Sequence, residues 1–103
     1  MGLFTFAIDI NKGVEECRAT PGAILLDVRT PEEYKEGHIP GSVSIPLAAL
    51  PARYSELGAS DTPLFVHCLS GGRSGQAVSF LKSVGYTNVK NIGGISAWRG
   101  KVE

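Results

Sequence analysis

The sequence has few of the features that mark disulfide-stabilised proteins, zinc proteins or nucleic-acid binders. Among its 103 residues are two cysteines, Cys17 and Cys68, and its ten acidic residues balance ten basic ones. Two distant cysteines without an export signal do not indicate a disulfide. No Cys/His cluster supplies the four ligands of a structural zinc. A net charge of zero argues against binding nucleic acid through bulk positive charge.

Long hydrophobic runs are also missing. No uninterrupted run of aliphatic residues is longer than that at 23–26, which is far shorter than the ~20 residues of a membrane-spanning helix. The first residues lack the basic segment and apolar stretch of a signal peptide. Phe6 stands where an N-myristoylation motif has Ser or Thr. We therefore expect a single cytoplasmic domain over residues 1–103, without a structural metal.

Helix and strand signals alternate along the chain. Asp9 and Thr30 are suited to cap helices, Gly37 to end one, and Pro51 to interrupt another. Periodicity predicts strands at 3–8, 23–28, 42–45, 64–67 and 88–92, and helices at 10–19, 31–36, 47–57, 73–84 and 95–99. Such alternation is typical of an α/β fold with a mostly parallel sheet.

The segment VHCLSGGRS, residues 66–74, carries the chemistry. Cys68 follows a buried strand, and ligands of open α/β sheets bind beyond the carboxyl ends of strands. The loop after Cys68 runs directly into a helix N-terminus, where free N–H groups favour an anion. Gly71 and Gly72 allow the loop to curl so that successive N–H groups face one point. The spacing predicts an anion-binding loop around the cysteine.

A cysteine in such a loop should be a thiolate. Helix N-termini and nearby cations lower a cysteine pKa, and the thiolate is the nucleophilic form. Arg73 adds a forked, permanently charged donor suited to an oxyanion such as thiosulfate, or to a carboxylate. The pattern therefore predicts that Cys68 attacks an electrophilic sulfur or phosphorus atom.

The segment CLSGGR, residues 68–73, resembles the C-x-x-G-x-R loop of rhodanese-like sulfurtransferases. Four further segments resemble landmarks of that family in the same order: LDVR at 26–29, PEEY at 31–34, GHIPGS at 37–42 and GGISAW at 93–98. The resemblance implies a three-layer α/β/α fold, a five-stranded, mostly parallel sheet flanked by helices. This agrees with the alternation of helix and strand signals.

The resemblance also implies a reaction. Cys68 would take a sulfane sulfur from a donor such as thiosulfate, become a persulfide, and pass the outer sulfur to cyanide, glutathione or a protein thiol. No metal or organic cofactor is implied, and no nucleic acid or membrane is expected as a partner. The sulfur would be held by the loop residues that follow the cysteine, namely Leu69, Ser70, Gly71, Gly72, Arg73 and Ser74.

Loop length separates two chemistries on this fold. Dual-specificity phosphatases that share it have five residues between cysteine and arginine, whereas four separate Cys68 from Arg73. The shorter loop makes a smaller pocket, which favours a single sulfur atom over a tetrahedral phosphate. Phosphatase or arsenate reductase chemistry is thus disfavoured, while a non-catalytic sulfur-carrier or docking module remains an alternative.

The residues around the cysteine have competing interpretations. Cys17 lies on the apolar face of a helix and is interpreted as a buried thiol rather than a resolving cysteine. His67 should point away from the face that Cys68 uses, because side chains alternate along a strand. It is interpreted as structural rather than as a base. Asp27 and Arg29 form either a charge pair tying a strand end to the turns or a layer that orients the Cys68 loop.

The zero net charge hides a division. Residues 1–57 carry five basic and eight acidic side chains, whereas residues 58–103 carry five basic and two acidic ones. The second part contains the Cys68 loop. Its surroundings are therefore predicted to suit an anionic sulfur donor.

Overall fold

Residues 8–103, the part of the chain described by a computed structural model, alternate helices with parallel strands. The helices are α1 (Ile10–Ala19), α2 (Pro31–Glu36), α3 (Leu50–Arg53) and α4 (Gly72–Ser83). The strands are β1 (Ile24–Asp27), β2 (Val43–Ser44), β3 (Leu64–Cys68) and β4 (Val89–Gly94). Three short 3-10 turns complete the fold, at Leu47–Ala49, Tyr54–Leu57 and Ile95–Ala97.

The strands form one sheet in the order β2-β1-β3-β4, and each neighbouring pair is parallel. Leu26 of β1 lies opposite Val43 on one side and Val66 on the other. The α/β class and the parallel sheet are thus confirmed. The described residues form four strands rather than five. The additional strand was predicted at 3–8, and residues 1–7 lie outside the described part of the chain.

The helix ends follow the predicted capping residues. The carboxylate of Asp9 accepts a hydrogen bond from the N–H of Asn11 at 2.9 Å. Thr30 forms a capping box, since its hydroxyl accepts from the N–H of Glu33 and the Glu33 carboxylate accepts from the N–H of Thr30. Gly37 ends α2. These local contacts explain why the bounds of α1 and α2 could be predicted from the sequence.

The two faces of the sheet bury separate apolar clusters. Leu25 and Phe65 pack with α1, whereas Leu26 and Val66 pack on the opposite face with α4. This division follows from the two-residue period of a strand. Cys17 is buried in the α1 cluster, where burial raises the pKa of its thiol. The sheet is therefore the middle of three layers.

Two predicted helices are shorter than expected. The helix predicted at 47–57 is divided into α3 and the two 3-10 turns on either side of it. Pro51 lies in the first turn of α3, where the missing N–H costs no hydrogen bond, and it prevents α3 from continuing the preceding 3-10 turn as one helix. The helix predicted at 95–99 is the 3-10 turn Ile95–Ala97. No helix among residues 8–103 is long and apolar enough to cross a membrane.

Gly13 and Gly75 provide a matched test of helix packing. A Cβ atom on Gly13 would lie 2.5 Å from Cβ of Ile92, a branched core residue. Overpacking costs about 1–3 kcal/mol, more than the roughly 0.5–1 kcal/mol gained by replacing glycine in a helix. We expect Gly13→Ala to lower the free energy of urea unfolding.

Gly75 of α4 is the control because its Cβ would meet Nδ2 of Asn91 at an ordinary 3.5 Å. Gly75→Ala should raise the free energy of unfolding by roughly 0.5–1 kcal/mol. Equal effects of the two substitutions would contradict the close contact between α1 and β4.

Candidate active site

Cys68 ends β3 and lies beneath the loop that leads into α4. The residue is 1% exposed. Its Sγ accepts a hydrogen bond from the N–H of Gly71 at 3.0 Å and another from the hydroxyl of Ser74 at 3.4 Å. Gly71 has a φ of +105°, a conformation that favours glycine, and this turns its N–H toward the sulfur. The predicted curled loop around Cys68 is therefore present.

The loop rests on two glycines at the end of β4. A Cβ atom on Gly94 would overlap the backbone of Leu69 and Ser70. The N–H of Ser96 donates to the carbonyl of Leu69 at 3.0 Å, and Cα of Gly93 lies 3.7 Å from the Cβ position of Gly71. Because Gly93 and Gly94 have no side chains, the backbone of β4 packs directly against the loop.

Opposing effects set the ionisation of Cys68. Burial raises the pKa of the thiol, but hydrogen bonds from the Ser74 hydroxyl and from the N–H groups of Ser74, Gly71 and Ser70 lower it. The lowering effects together exceed the effect of burial, so the pKa lies below its ordinary value. Hydrogen-bond donors thus favour the thiolate form of this buried residue.

Arg73 has a partner within the protein. Its Nη1 and Nη2 atoms donate to the two carboxylate oxygens of Glu33 in α2, at 2.7 and 3.0 Å. This bidentate pair ties the first turn of α4 to the first turn of α2. The sequence indicated that the Arg73 fork suits an oxyanion or a carboxylate, but it did not identify Glu33 as the partner. Through this pair, the guanidinium holds the start of α4, the helix that carries Ser74, against α2.

Asp27 and Arg29 form a buried ion pair at the end of β1. Nη2 of Arg29 lies 2.8 Å from Oδ2 of Asp27 and also donates to the carbonyl of Gly37 at 2.8 Å. The pair therefore connects the strand end to the turn after α2, as the first of the two interpretations describes. Within residues 8–103, its hydrogen bonds do not reach Cys68 directly.

His67 lies between that ion pair and the cysteine. It is fully buried, and its Nε2 has no hydrogen-bond partner among the described residues and lies 3.7 Å from Oδ2 of Asp27. Burial lowers the pKa of His67 more than the nearby Asp27 carboxylate raises it, so the fold favours the neutral ring. No hydrogen bond joins its ring to the Cys68 sulfur within the described residues, and this arrangement fits a structural histidine.

Comparison with known proteins identifies the family. Residues 10–101 match the family model described as Rhodanese-like domain. The chain belongs to the rhodanese-like domain family. The match covers nearly the whole chain and includes the Cys68 loop, so the resemblance inferred from the sequence is confirmed.

Individual rhodanese-like relatives agree with this assignment. A sulfurtransferase of Allochromatium vinosum is 41% identical over 92 residues, which cover 88% of this chain and 85% of that protein. Thiosulfate sulfurtransferase PspE of Escherichia coli is 40% identical over 72 residues, 68% of each chain. A solved structure described as rhodanese with anions from E. coli is 33% identical, with a TM-score of 0.72, covering 79% of this chain and 96% of that one. These similarities support a sulfurtransferase kind of reaction.

Two residues of the rhodanese-like site escaped the sequence analysis. Glu33 holds Arg73, and Asn91 contacts both Ser74 and the carbonyl of Gly71. The capping-box spacing from Thr30 to Glu33 marks Glu33 as a helix-start residue but does not reveal Arg73 as its partner. A polar residue two positions before the Gly93-Gly94 pair was the available signal for Asn91.

The pH dependence of Cys68 alkylation tests the hydrogen bonds to its sulfur. The thiolate forms as pH rises through the thiol pKa, which lies below the ordinary 9.0. In a Cys17→Ala background, the alkylation rate by iodoacetamide should therefore reach half its maximum below pH 9.0. Ser74→Ala should move this midpoint upward by about one pH unit or more, the size of one hydrogen bond to a charged group. An unchanged or lower midpoint would contradict the role of the hydroxyl.

Acid unfolding tests the Arg73–Glu33 pair. The hydrogen bonds from Arg73, and then from the N–H of Thr30, hold the pKa of Glu33 at about 2, below its ordinary 4.5. The stability from ionised Glu33 is thus fully present above pH 4.5 and is lost as pH falls toward about 2. Glu33→Gln should be less stable than wild type at neutral pH, and the difference should shrink across that range.

Glu32→Gln is the matched control because Glu32 is the exposed neighbour of Glu33. It removes the same charge without removing the partner of Arg73. If both variants lost similar stability with the same dependence on pH, the Arg73–Glu33 pair would not be what stabilises the protein.

Proposed function

We propose that this protein is a sulfurtransferase that moves a sulfane sulfur from an anionic donor such as thiosulfate to a thiophilic acceptor through a persulfide on Cys68. The observation that carries this proposal is the pair of donors, the Gly71 N–H and the Ser74 hydroxyl, directed at the buried sulfur. Such donors favour the thiolate needed for attack on sulfur. The similarity to a protein named thiosulfate sulfurtransferase supports the choice of donor.

The first half-reaction forms the persulfide. The Cys68 thiolate attacks the outer sulfur of thiosulfate, and a new S–S bond forms as the S–S bond of thiosulfate breaks. Sulfite leaves with the electron pair of the broken bond, and the negative charge of the bound species lies on the outer sulfur of the persulfide. The N–H groups of Ser70 and Gly71 in the loop, and of Ser74 in the first turn of α4, are directed at Sγ and favour negative charge next to it.

The second half-reaction regenerates the thiolate. A thiolate or cyanide acceptor attacks the outer sulfur, the acceptor–sulfur bond forms, and Cys68 leaves as a thiolate with the electrons of the S–S bond. The same hydrogen bonds stabilise this leaving group. The cycle therefore balances without a metal, an organic cofactor or an external reductant.

Arg73 acts in this proposal through position more than through free charge. Both of its terminal nitrogens donate to Glu33, which offsets its charge. The pair holds α2 against the first turn of α4, which supplies Ser74 and its N–H. We propose that the amides and the helix start, rather than an unpaired guanidinium, attract the donor.

A sulfur-relay module that receives sulfur from a partner protein is the second candidate. Leu69 next to Cys68 is 45% exposed, and an apolar residue at the entrance suits a protein surface better than a small anion. This module would use the same persulfide with a different donor. Phosphatase chemistry has no comparable support, because the loop has four residues between Cys68 and Arg73.

Intact-mass spectrometry tests the persulfide directly. After incubation with thiosulfate and removal of excess donor, the wild-type protein should gain the mass of one sulfur atom, and added cyanide should remove it as thiocyanate. Cys68→Ser should gain nothing, because its hydroxyl is not an ionised nucleophile at this site. Cys17→Ala is the matched control and should label like wild type, since Cys17 is buried in the α1 cluster.

The outcomes separate the candidates. An adduct that persists in Cys68→Ser would overturn the proposed mechanism. Labelling by a protein persulfide or a low-molecular-weight persulfide, but not by thiosulfate, would favour the relay module. Hydrolysis of an aryl phosphate that depends on Cys68 would replace both with phosphatase chemistry.

A further inference from the structure

Asn91 lies in β4, outside the Cys68 loop, yet its side-chain amide contacts that loop. The sheet register places it there, because β4 has one extra residue, Ile92, between the partners of Val66 and His67. Gly93 follows with a φ of +103°. This irregularity lets the N–H of Gly93 turn back and donate to Oδ1 of Asn91 at 3.0 Å.

The contacts on both sides determine how the Asn91 amide is oriented. Nδ2 donates to the carbonyl of Gly71 at 3.1 Å, and this carbonyl can only accept. Oδ1 accepts from the N–H of Gly93, which can only donate. Reversing the amide would break both hydrogen bonds. Oδ1 must therefore be the atom that faces Ser74.

The Ser74 hydroxyl has one proton and several acceptors within reach. Its Oγ lies 2.8 Å from Oδ1 of Asn91, 3.1 Å from the carbonyl of Gly71, and 3.4 Å from both Sγ of Cys68 and the carbonyl of Gly93. A hydroxyl donates to one strong acceptor at a time. Ser74 is fully buried, so the environment restricts the choice to these neighbours rather than bulk water. Asn91 is the closest of them.

We propose that Asn91 is a positioning residue that competes with the Cys68 sulfur for the single proton of the Ser74 hydroxyl. A thiolate sulfur is the better acceptor and draws the proton toward itself. Once the negative charge lies on the outer sulfur of a persulfide, Sγ is a weak acceptor and the proton returns to Asn91. The hydroxyl thus keeps a partner in both states, and a buried donor is not left unpaired.

This competition has a chemical consequence. Each hydrogen bond to a thiolate increases the thiolate fraction but weakens its nucleophilicity, since nucleophilicity falls as the thiol pKa falls. By sharing the Ser74 proton, Asn91 limits how far the sulfur is stabilised and leaves it more reactive. The inference rests on the proposed role of Cys68 as the sulfur-carrying nucleophile.

Titration of Cys68 in four proteins tests the competition. Leucine matches asparagine in its number and branching of side-chain heavy atoms but has no acceptor, so Asn91→Leu should release the Ser74 proton to sulfur. In a Cys17→Ala background, we expect its Cys68 titration midpoint to fall by about half a pH unit, the size of a single hydrogen bond. Ser74→Ala should raise the midpoint. Adding Asn91→Leu to Ser74→Ala should leave that raised midpoint unchanged, because no hydroxyl proton remains to be released.

Two results would overturn the proposal. One is a Cys68 titration midpoint that is unchanged or raised in folded Asn91→Leu. General loosening of the loop would produce that result. The other is an equal fall with and without the Ser74 hydroxyl, since Asn91 would then act by another route. Thermal unfolding shows whether each variant is folded.

A second substitution keeps the proposal testable if Asn91→Leu does not fold. Asn91→Asp retains an acceptor for Ser74 and for the N–H of Gly93, and its charge makes it a stronger competitor. The midpoint should rise, and it should rise more with the Ser74 hydroxyl present than in Ser74→Ala. Equal rises would show a simple charge effect and overturn the proposal.

The titration requires no sulfur donor, so it is independent of the proposed function. If thiosulfate labelling fails but the Asn91 substitutions shift the Cys68 midpoint as expected, the result counts against the sulfurtransferase proposal alone. If thiosulfate labels the protein but the Asn91 substitutions do not shift the Cys68 midpoint, the result counts against the proposed competition alone.

Discussion

The hydrogen bonds to the sulfur of Cys68 are the constraint on which the site depends. A negative charge on a residue that is 1% exposed must be compensated by nearby donors, because burial otherwise favours the neutral thiol. The Gly71 N–H and the Ser74 hydroxyl meet this need only if the loop curls tightly over the sulfur. That curl depends on the positive φ of Gly71 and on the missing side chain of Gly94.

Charge at the site is mostly paired, in spite of the uneven distribution of charge along the chain. Arg73 binds Glu33, and Lys90 binds Glu16 at 2.8 Å, so two basic residues of the second half contact acidic residues of the first. The fold therefore cancels part of the asymmetry that the sequence suggested around Cys68. In the proposed reaction, the attraction for an anionic donor comes mainly from amide groups and the start of α4, which remain local to the sulfur.

Local signals predicted much of the fold. The cap at Asp9 and the capping box at Thr30 act within one turn of a helix, so the bounds of α1 and α2 could be inferred from neighbouring residues. The segment 47–57 was harder, because its apolar spacing is helical while Pro51 divides it into shorter turns. For the site, the Cys68 loop was identified because its residues are contiguous and end at a helix.

The sequence by itself determined the family, the parallel α/β architecture and the position of the curled loop around Cys68, since each depends on short-range patterns or on motifs in a set order. Tertiary structure decided which side chains meet that loop. Glu33 reaches Arg73 from α2, and Asn91 reaches Ser74 because one extra residue in β4 turns the strand toward the cysteine. Such partners lie far apart in the chain, and only the packing of α2 and β4 around the start of α4 brings their polar atoms within hydrogen-bonding distance.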